Sequence, residues 1–287
     1  MNSTSLNAIC PYFTMFPLDF PVKVIERHAP KESWILDPFC GRGTTNFAAR
    51  VLGIPSVGVD CSPVAVAIAK AKAVRSTVDA VVDALHECLE FDLTEPIPHG
   101  EFWKRAYHPK TLESLCRIRA ALIKDCTTSA QVTLRALLLG ALHGPRTKGA
   151  PSYFSNQCTR TFAPKPRYAV KFWKAQSLYP QRIDVRTLVQ RHAQRYLEEQ
   201  PRLTPGLIYL ADSKALDCLS LPRGINLVIT SPPYYGMRTY RPDQWLRNWF
   251  LGGPNEVEYG QPDGSLSHKS ENDFARELGD VWRSVSS

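Results

Sequence analysis

The chain has 287 residues, 35 Lys+Arg against 27 Asp+Glu (formal net charge +8), 44% hydrophobic and 10% aromatic content. That size suits one large domain or two modest ones with a core that needs no disulfide staples, and the composition excludes a mainly disordered or collagen-like chain. No apolar run reaches the roughly 18–20 residues of a bilayer span, and no basic-then-apolar leader opens the sequence. The eight cysteines hold no C-x-x-C pair, which suits reduced cytoplasmic thiols better than a disulfide framework or a zinc site. The positive balance makes a polyanion a plausible partner.

Up to about Arg75 the pattern reads strand, loop, helix, strand, helix. Trp34–Asp37 is a short apolar run ending in an acid, followed by the turn Cys40-Gly41-Arg42-Gly43 and a helix over 44–52. Ser56–Asp60 is a second such strand, and Ser62-Pro63 opens the alanine-rich helix VAVAIAKAKAV, with Pro63 suited to a first helical turn. Two short buried strands joined by a helix indicate a parallel βαβ unit.

The block 76–205 reads differently, with helices near 78–90, 109–124, 129–143 and 184–199 and little strand signal. Between Cys126 and Ile183 there is no Asp or Glu, but nine Lys/Arg: Arg135, Arg146, Lys148, Arg160, Lys165, Arg167, Lys171, Lys174 and Arg182. Tyr153, Phe154, Phe162, Tyr168, Phe172, Trp173 and Tyr179 interleave with them. Cations for phosphate and flat rings for stacking are what a nucleic-acid groove uses; a solvated basic face over core aromatics would read the same way. Arg146, Lys148, Arg160, Lys165, Arg167, Lys171 and Lys174 are the candidate DNA contacts.

From about 206 to 287 the α/β pattern returns. Gly206–Leu210 and Asn226–Thr230 are expected strands, and helices are expected near 242–251 and 271–285. Trp245, Trp249 and Phe250 fall at near-helical spacing and are expected in the core. The seven histidines show no metal-ligand spacing, so no metal site is expected.

Two motifs carry chemistry. Asp37-Pro38-Phe39-Cys40-Gly41-Arg42-Gly43-Thr44-Thr45 follows a strand and opens a helix, where glycines let a ligand approach the backbone and helix N–H groups face it. Asp60 ends the next strand, where a carboxylate can accept both hydroxyls of a ribose. Asn46 stands where a dinucleotide fingerprint has its third glycine, and no G-K-[S/T] occurs, so NAD is disfavoured and a P-loop is excluded. The second motif, Thr230-Ser231-Pro232-Pro233-Tyr234-Tyr235-Gly236, follows a strand, which puts it at the carboxyl edge of a parallel sheet. Its two prolines fix the backbone so that a side-chain oxygen and a main-chain carbonyl face one point, and a ring follows. Such a site can accept from an exocyclic amine while Tyr234 stacks on a base flipped from its duplex. Taken singly, each feature has a plainer reading: an ordinary strand-to-helix turn, a helix-capping acid at Asp60 or Asp212, a rigid proline loop.

Together and in order they resemble the amino-methylating DNA methyltransferases, which use S-adenosylmethionine. Ser231-Pro232-Pro233-Tyr234 resembles the catalytic tetrad of that family, Phe39-Cys40-Gly41-Arg42-Gly43 its cofactor loop, and Asp60 its ribose acid. Asp212-Ser213 resembles its adenine contact, and Tyr12-Phe13-Thr14-Met15-Phe16-Pro17 the segment that contacts the methionine part of the cofactor. The resemblance covers roughly residues 10–75 and 206–285. It implies a Rossmann-like methyltransferase sheet, with 1–75 and 206–287 as a discontinuous catalytic domain and 76–205 as a helical, basic insertion that recognises DNA. The implied cofactor residues are Thr14, Asp37, Phe39, Gly41, Gly43, Thr45, Asp60, Asp212 and Ser213. The implied catalytic residues are Ser231, Pro232, Pro233 and Tyr234. The serine tetrad is associated within the family with N4-cytosine methylation, the aspartate form with N6-adenine. Carbon-5 methylation is disfavoured, because its thiolate sits in a Pro-Cys dipeptide absent here.

The resemblance further implies double-stranded DNA as partner, an enzyme either of restriction–modification type with a cognate restriction endonuclease or of orphan type without one, and a cytoplasmic, nucleoid-associated location of bacterial or phage type, away from membranes. The expected strand order is 3-2-1-4, and the family's further C-terminal strands are not evident. This raises a rival expectation, that the chain is truncated or completed by a second polypeptide and binds DNA or cofactor without turnover by itself.

Overall fold

The computed structural model describes residues 4–12, 16–30, 32–145, 150–158, 165–236, 241–259 and 263–286. Four parallel strands form the main sheet: β1 (Trp34–Asp37), β2 (Ser56–Asp60), β5 (Gly206–Leu210) and β6 (Ile225–Val228), in the spatial order β5-β2-β1-β6. Counted along the chain within this sheet, that is the expected spatial order 3-2-1-4; only the strand numbering differs, because two further strands, β3 (His143–Pro145) and β4 (Ser155–Cys158), precede β5 in the chain and pair with each other in a separate parallel ladder. The last sheet strand also closes at Val228, two residues before the expected end.

Both faces of the sheet are covered, as an all-parallel sheet requires. Alternation along β1 divides its side chains: Ile35 packs with Ile25, Ala48, Ala49 and Ile229 on one face, and Leu36 with Val57, Val59 and Leu216 on the other. The first face carries α1 (Asp19–His28), α2 (Thr44–Val51) and α3 (Pro63–Ala73); the second carries the 3-10 turn Ser213–Cys218 and α11 (Glu271–Ser286). Helix α3 starts as the sequence indicates, with Pro63 in its first turn and the Ser62 hydroxyl accepting the Ala65 N–H.

The middle block supplies α4 (Val78–Leu89), α5 (Glu101–Ala106), α6 (Pro109–Lys124), α7 (Ser129–Ala141), α8 (Pro166–Ala175) and α9 (Val185–Leu197). Their apolar faces share one core with Phe47, Val64 and Ile68 of α2 and α3, so the helices build directly onto the sheet's helical layer. Helices α1, α5 and α8 were not expected from the sequence, and α7 stops at Ala141 because His143 already belongs to β3. Trp245, Trp249 and Phe250 lie buried on α10 (Trp245–Phe250) in the same core. Arg50, buried on α2, donates to the carbonyls of Lys72, Val74 and Pro201, which ties the end of α3 and the approach to β5 to one side chain. Among the described residues no strand occurs in 254–270, and no helix is long and apolar enough to cross a membrane.

Candidate active site

Because the four strands run in parallel, their carboxyl ends meet at one edge, and both chemical motifs lie there. The glycine turn is built by backbone shape. Gly41 and Gly43 hold φ of +50° and +74°, the left-handed region that side chains resist. A Cβ on Gly43 would also come within 2.9 Å of the Ala69 Cβ. On Gly41 it would meet nothing within 4 Å, so the turn presents open space on that side. Asn46, in the place of a third glycine, donates to the Ser56 hydroxyl at 3.1 Å, and the close approach of helix to strand is permitted by Gly58, where a Cβ would lie 2.7 Å from the Asn46 Oδ1. A glycine inside a strand is the sequence signal for such an approach. Cys40 is buried against Gly58, and burial pushes its thiol well above the ordinary value.

Asp60 accepts the Gly41 N–H on one oxygen and the Ser62 N–H on the other, each at 2.8 Å. It is half-buried, and burial is the main cause of its raised pKa. Each carboxylate oxygen has a second lone pair, so acceptor capacity for two hydroxyls remains. Phe39 packs with Leu266, Phe274 and Val281 beside this turn. Asp212 caps the turn Ser213–Cys218, accepting the Lys214 N–H at 2.9 Å, while the Lys214 ammonium stands 3.4 Å from its other oxygen. The Ser213 hydroxyl is buried and donates to the Pro38 carbonyl, which holds this corner against the glycine turn.

The two motifs touch. Asp37, 2% exposed at the end of β1, accepts the Phe39 N–H at 3.1 Å and the Thr230 hydroxyl at 2.6 Å, both on Oδ1. Thr45, fully buried, donates to the Ile229 carbonyl at 3.4 Å. Burial outweighs the hydrogen bonds that Thr230 and Phe39 donate and pushes the Asp37 carboxyl up to about 6. Ser231 is therefore launched from a strand end pinned to the glycine turn. Beyond it, Pro232 and Pro233 are half-buried and Tyr234 is 62% exposed, free to meet a flat partner. Tyr235 lies parallel to the His268 ring, 6.1 Å between centroids.

Several supports were not read from the sequence. The Tyr12 hydroxyl reaches the Ser62 hydroxyl at 3.3 Å. Arg247, buried on α10, donates to the carbonyls of Leu139 and Pro11. Glu277 on α11 accepts both the Lys214 ammonium at 3.3 Å and the Ser267 N–H at 2.8 Å.

The candidate DNA contacts divide. Thr14 among the cofactor candidates, and Arg146, Lys148 and Arg160 among the DNA candidates, lie outside the described residues. Lys165, Arg167, Lys171 and Lys174 are all exposed around α8, whose buried stripe is Ala169 and Trp173. Absence of acid in the sequence window does not carry into space. Lys174 pairs with Glu101 of α5 at 2.9 Å, and Lys165 attracts the Asp243 carboxylate. The aromatics split as well: Phe154 and Trp173 are core residues, whereas Tyr168 and Tyr179 are 66% and 68% exposed, Tyr179 under the Arg105 guanidinium.

What the fold and edge define is a class: a parallel α/β protein with a left-handed glycine turn, an acid at each of three adjacent strand ends, and a rigid proline loop beside them. Half-buried carboxylates with spare lone pairs and an open backbone cradle suit a ligand with hydroxyl and amine donors, as a nucleoside has. Residues 2–71 match the family model described as DNA methylase, which supports DNA methylation as the general activity. The matched stretch holds the glycine turn and Asp60 and ends well before Asp212 and the tetrad. Neither the comparison with curated proteins nor that with solved structures returned a match. Among the described residues no group of three His, Cys, Asp or Glu side chains could hold a metal ion.

Proposed function

We propose that the protein is an S-adenosylmethionine-dependent DNA methyltransferase that modifies the exocyclic amine of a flipped base, cytosine N4 in preference to adenine N6. The observation that carries this reading is the direct bond from Thr230 to Asp37, across 193 positions, which joins the tetrad to the glycine turn. A transfer between a bound cofactor and a base needs those two motifs side by side.

In this reading the Gly41–Gly43 turn would hold the cofactor, Asp60 would accept from its ribose, Asp212 and Ser213 would meet its adenine, and Asp37, Phe39 and Thr45 would shape the floor. When bound it supplies the methyl group on a sulfonium. The chain's own residues hold the acceptor: the Ser231 hydroxyl and the Pro232 carbonyl accept from the target amine, and Tyr234 stacks on the base. Pro233 keeps the loop from relaxing. Serine is a weak base, so the amine proton leaves to solvent or to Ser231 after the amine has attacked, and the protein contributes chiefly alignment. Residues 1–75 and 206–287 then form the catalytic part. The helical block 76–205 presents α8 to the DNA backbone, where Arg167 and Lys171 contact phosphate without carrying sequence information.

Incubating the purified chain with S-adenosylmethionine and duplex DNA, then digesting to nucleosides for mass spectrometry, tests this. N4-methylcytosine is the expected product. N6-methyladenine would move the assignment to the other amine, and no methylated base despite saturable cofactor binding would contradict transfer by this chain.

A further inference from the structure

The proline loop is held at both ends, and only the first anchor belongs to the motifs. Its start is fixed by Thr230 on Asp37. Its end is fixed by a residue that no motif announces. The Gly236 N–H donates to His268 Nδ1 at 3.2 Å, and the Tyr235 ring lies nearly parallel to the imidazole, at 17°. Gly236 holds φ of +79°, so the chain turns sharply where it meets this acceptor. An accepting Nδ1 requires the ring proton on Nε2.

His268 is itself anchored. It packs 5.4 Å from Phe274, which also contacts Tyr235. The preceding Ser267 N–H is held by Glu277, and Gly264 earlier in the same strap sits close enough to Asp212 and Cys61 that a Cβ would lie 3.2 Å and 3.4 Å from their Cβ atoms. The strap 263–268 thus runs from the acid end of β5 to the exit of the proline loop.

We propose that His268 is a positioning residue of the transfer site: by accepting the Gly236 amide and stacking on Tyr235 it sets the exit of the Ser231–Tyr234 loop, and with it the placing of Tyr234. This rests on reading that loop as the base holder. With both ends fixed and two prolines between, the loop has little left to order when a base arrives, and losing one anchor costs alignment rather than cofactor affinity.

Two substitutions separate the acceptor from the ring. His268→Phe keeps a stacking face and removes the acceptor; His268→Asn keeps an acceptor near the Nδ1 position and removes the ring. The full chain is compared by amide hydrogen exchange at Gly236, by S-adenosylmethionine affinity, and by methyl transfer to duplex DNA. In His268→Phe the Gly236 amide should exchange about tenfold faster and kcat should fall about tenfold, with cofactor Kd within about twofold. His268→Asn should recover both to within about threefold of wild type. Wild-type exchange in His268→Phe, or an Asn variant no better than the Phe variant, overturns the role. If exchange responds as expected while wild type itself methylates no base, the failure lies with the transferase reading and the loop anchor stands.

Discussion

Asp37 is the joint between the two motifs, and its substitution by Asn gives a quantity that can be worked out beforehand. The Phe39 N–H and the Thr230 hydroxyl both donate to Oδ1, an atom that Asn retains as a carbonyl. The new amide nitrogen can donate to the Thr45 hydroxyl, which stays free to donate to the Ile229 carbonyl. Packing and hydrogen bonding are thus preserved while the charge is removed. In the wild type the carboxyl rises from 3.8 to about 6 on folding, mainly through burial. Each pKa unit is worth about 1.4 kcal/mol, so ionising the folded chain at high pH costs about 3 kcal/mol relative to the protonated state. The folded pKa is the higher one, so this contribution is fully present below the unfolded value and is lost as pH rises through about 6. Between pH 5 and pH 8 roughly 1.4 kcal/mol of it titrates. Asp37→Asn lacks that loss, so its stability relative to wild type should improve by about that amount from pH 5 to pH 8. Urea unfolding of both proteins at the two pH values measures it, and taking the difference cancels the other titrating groups. A variant-minus-wild-type difference that is the same at both pH values would refute the account of Asp37 as a carboxylate strained by burial.

Three further outcomes are expected. Asp60→Ala should weaken S-adenosylmethionine binding at least about tenfold by calorimetry, since a carboxylate hydrogen bond of about 1.5–3 kcal/mol is lost; unchanged affinity removes Asp60 as the ribose ligand. Tyr234→Ala should lower methyl transfer by about tenfold or more, in line with about 1–3 kcal/mol per stacked base, and leave cofactor affinity and the unfolding midpoint unmoved; equal loss of transfer and cofactor binding contradicts its assigned role. The double change Arg167→Ala with Lys171→Ala should reduce the slope of log K against log salt for duplex DNA by about 1.8; an unaltered slope would place the DNA elsewhere.

What the sequence by itself determined is local. Apolar runs of four or five residues ending in Asp37 and Asp60 specify short buried strands; the positive-φ demand at Gly41 and Gly43 specifies the turn between β1 and α2; Ser62-Pro63 specifies where α3 starts. These depend on residues a few positions apart, and the chain cannot satisfy them otherwise. Local signals misled where polar residues mask a short apolar stripe. Helix α8 shows the world lysines, arginines and Tyr168, and buries only Ala169 and Trp173, a spacing hidden inside what reads as a basic tract. Strands β3 and β4 escaped notice because His-Gly-Pro has no strand preference and pairing alone defines it.

Only the tertiary structure decided which groups share an environment. Glu101 neutralises a lysine in a window that contains no acid, because α5 and α8 pack together. Asn46 replaces a glycine at no steric cost because Gly58 stands opposite on β2. Asp37 meets Thr230 because parallel strands bring their carboxyl ends to one edge whatever length of chain separates them, and His268 meets Gly236 because the strap 263–268 crosses that edge. Hydrogen bonds act over about 3 Å of space, and that edge, set by the order β5-β2-β1-β6, turns scattered motifs into a site.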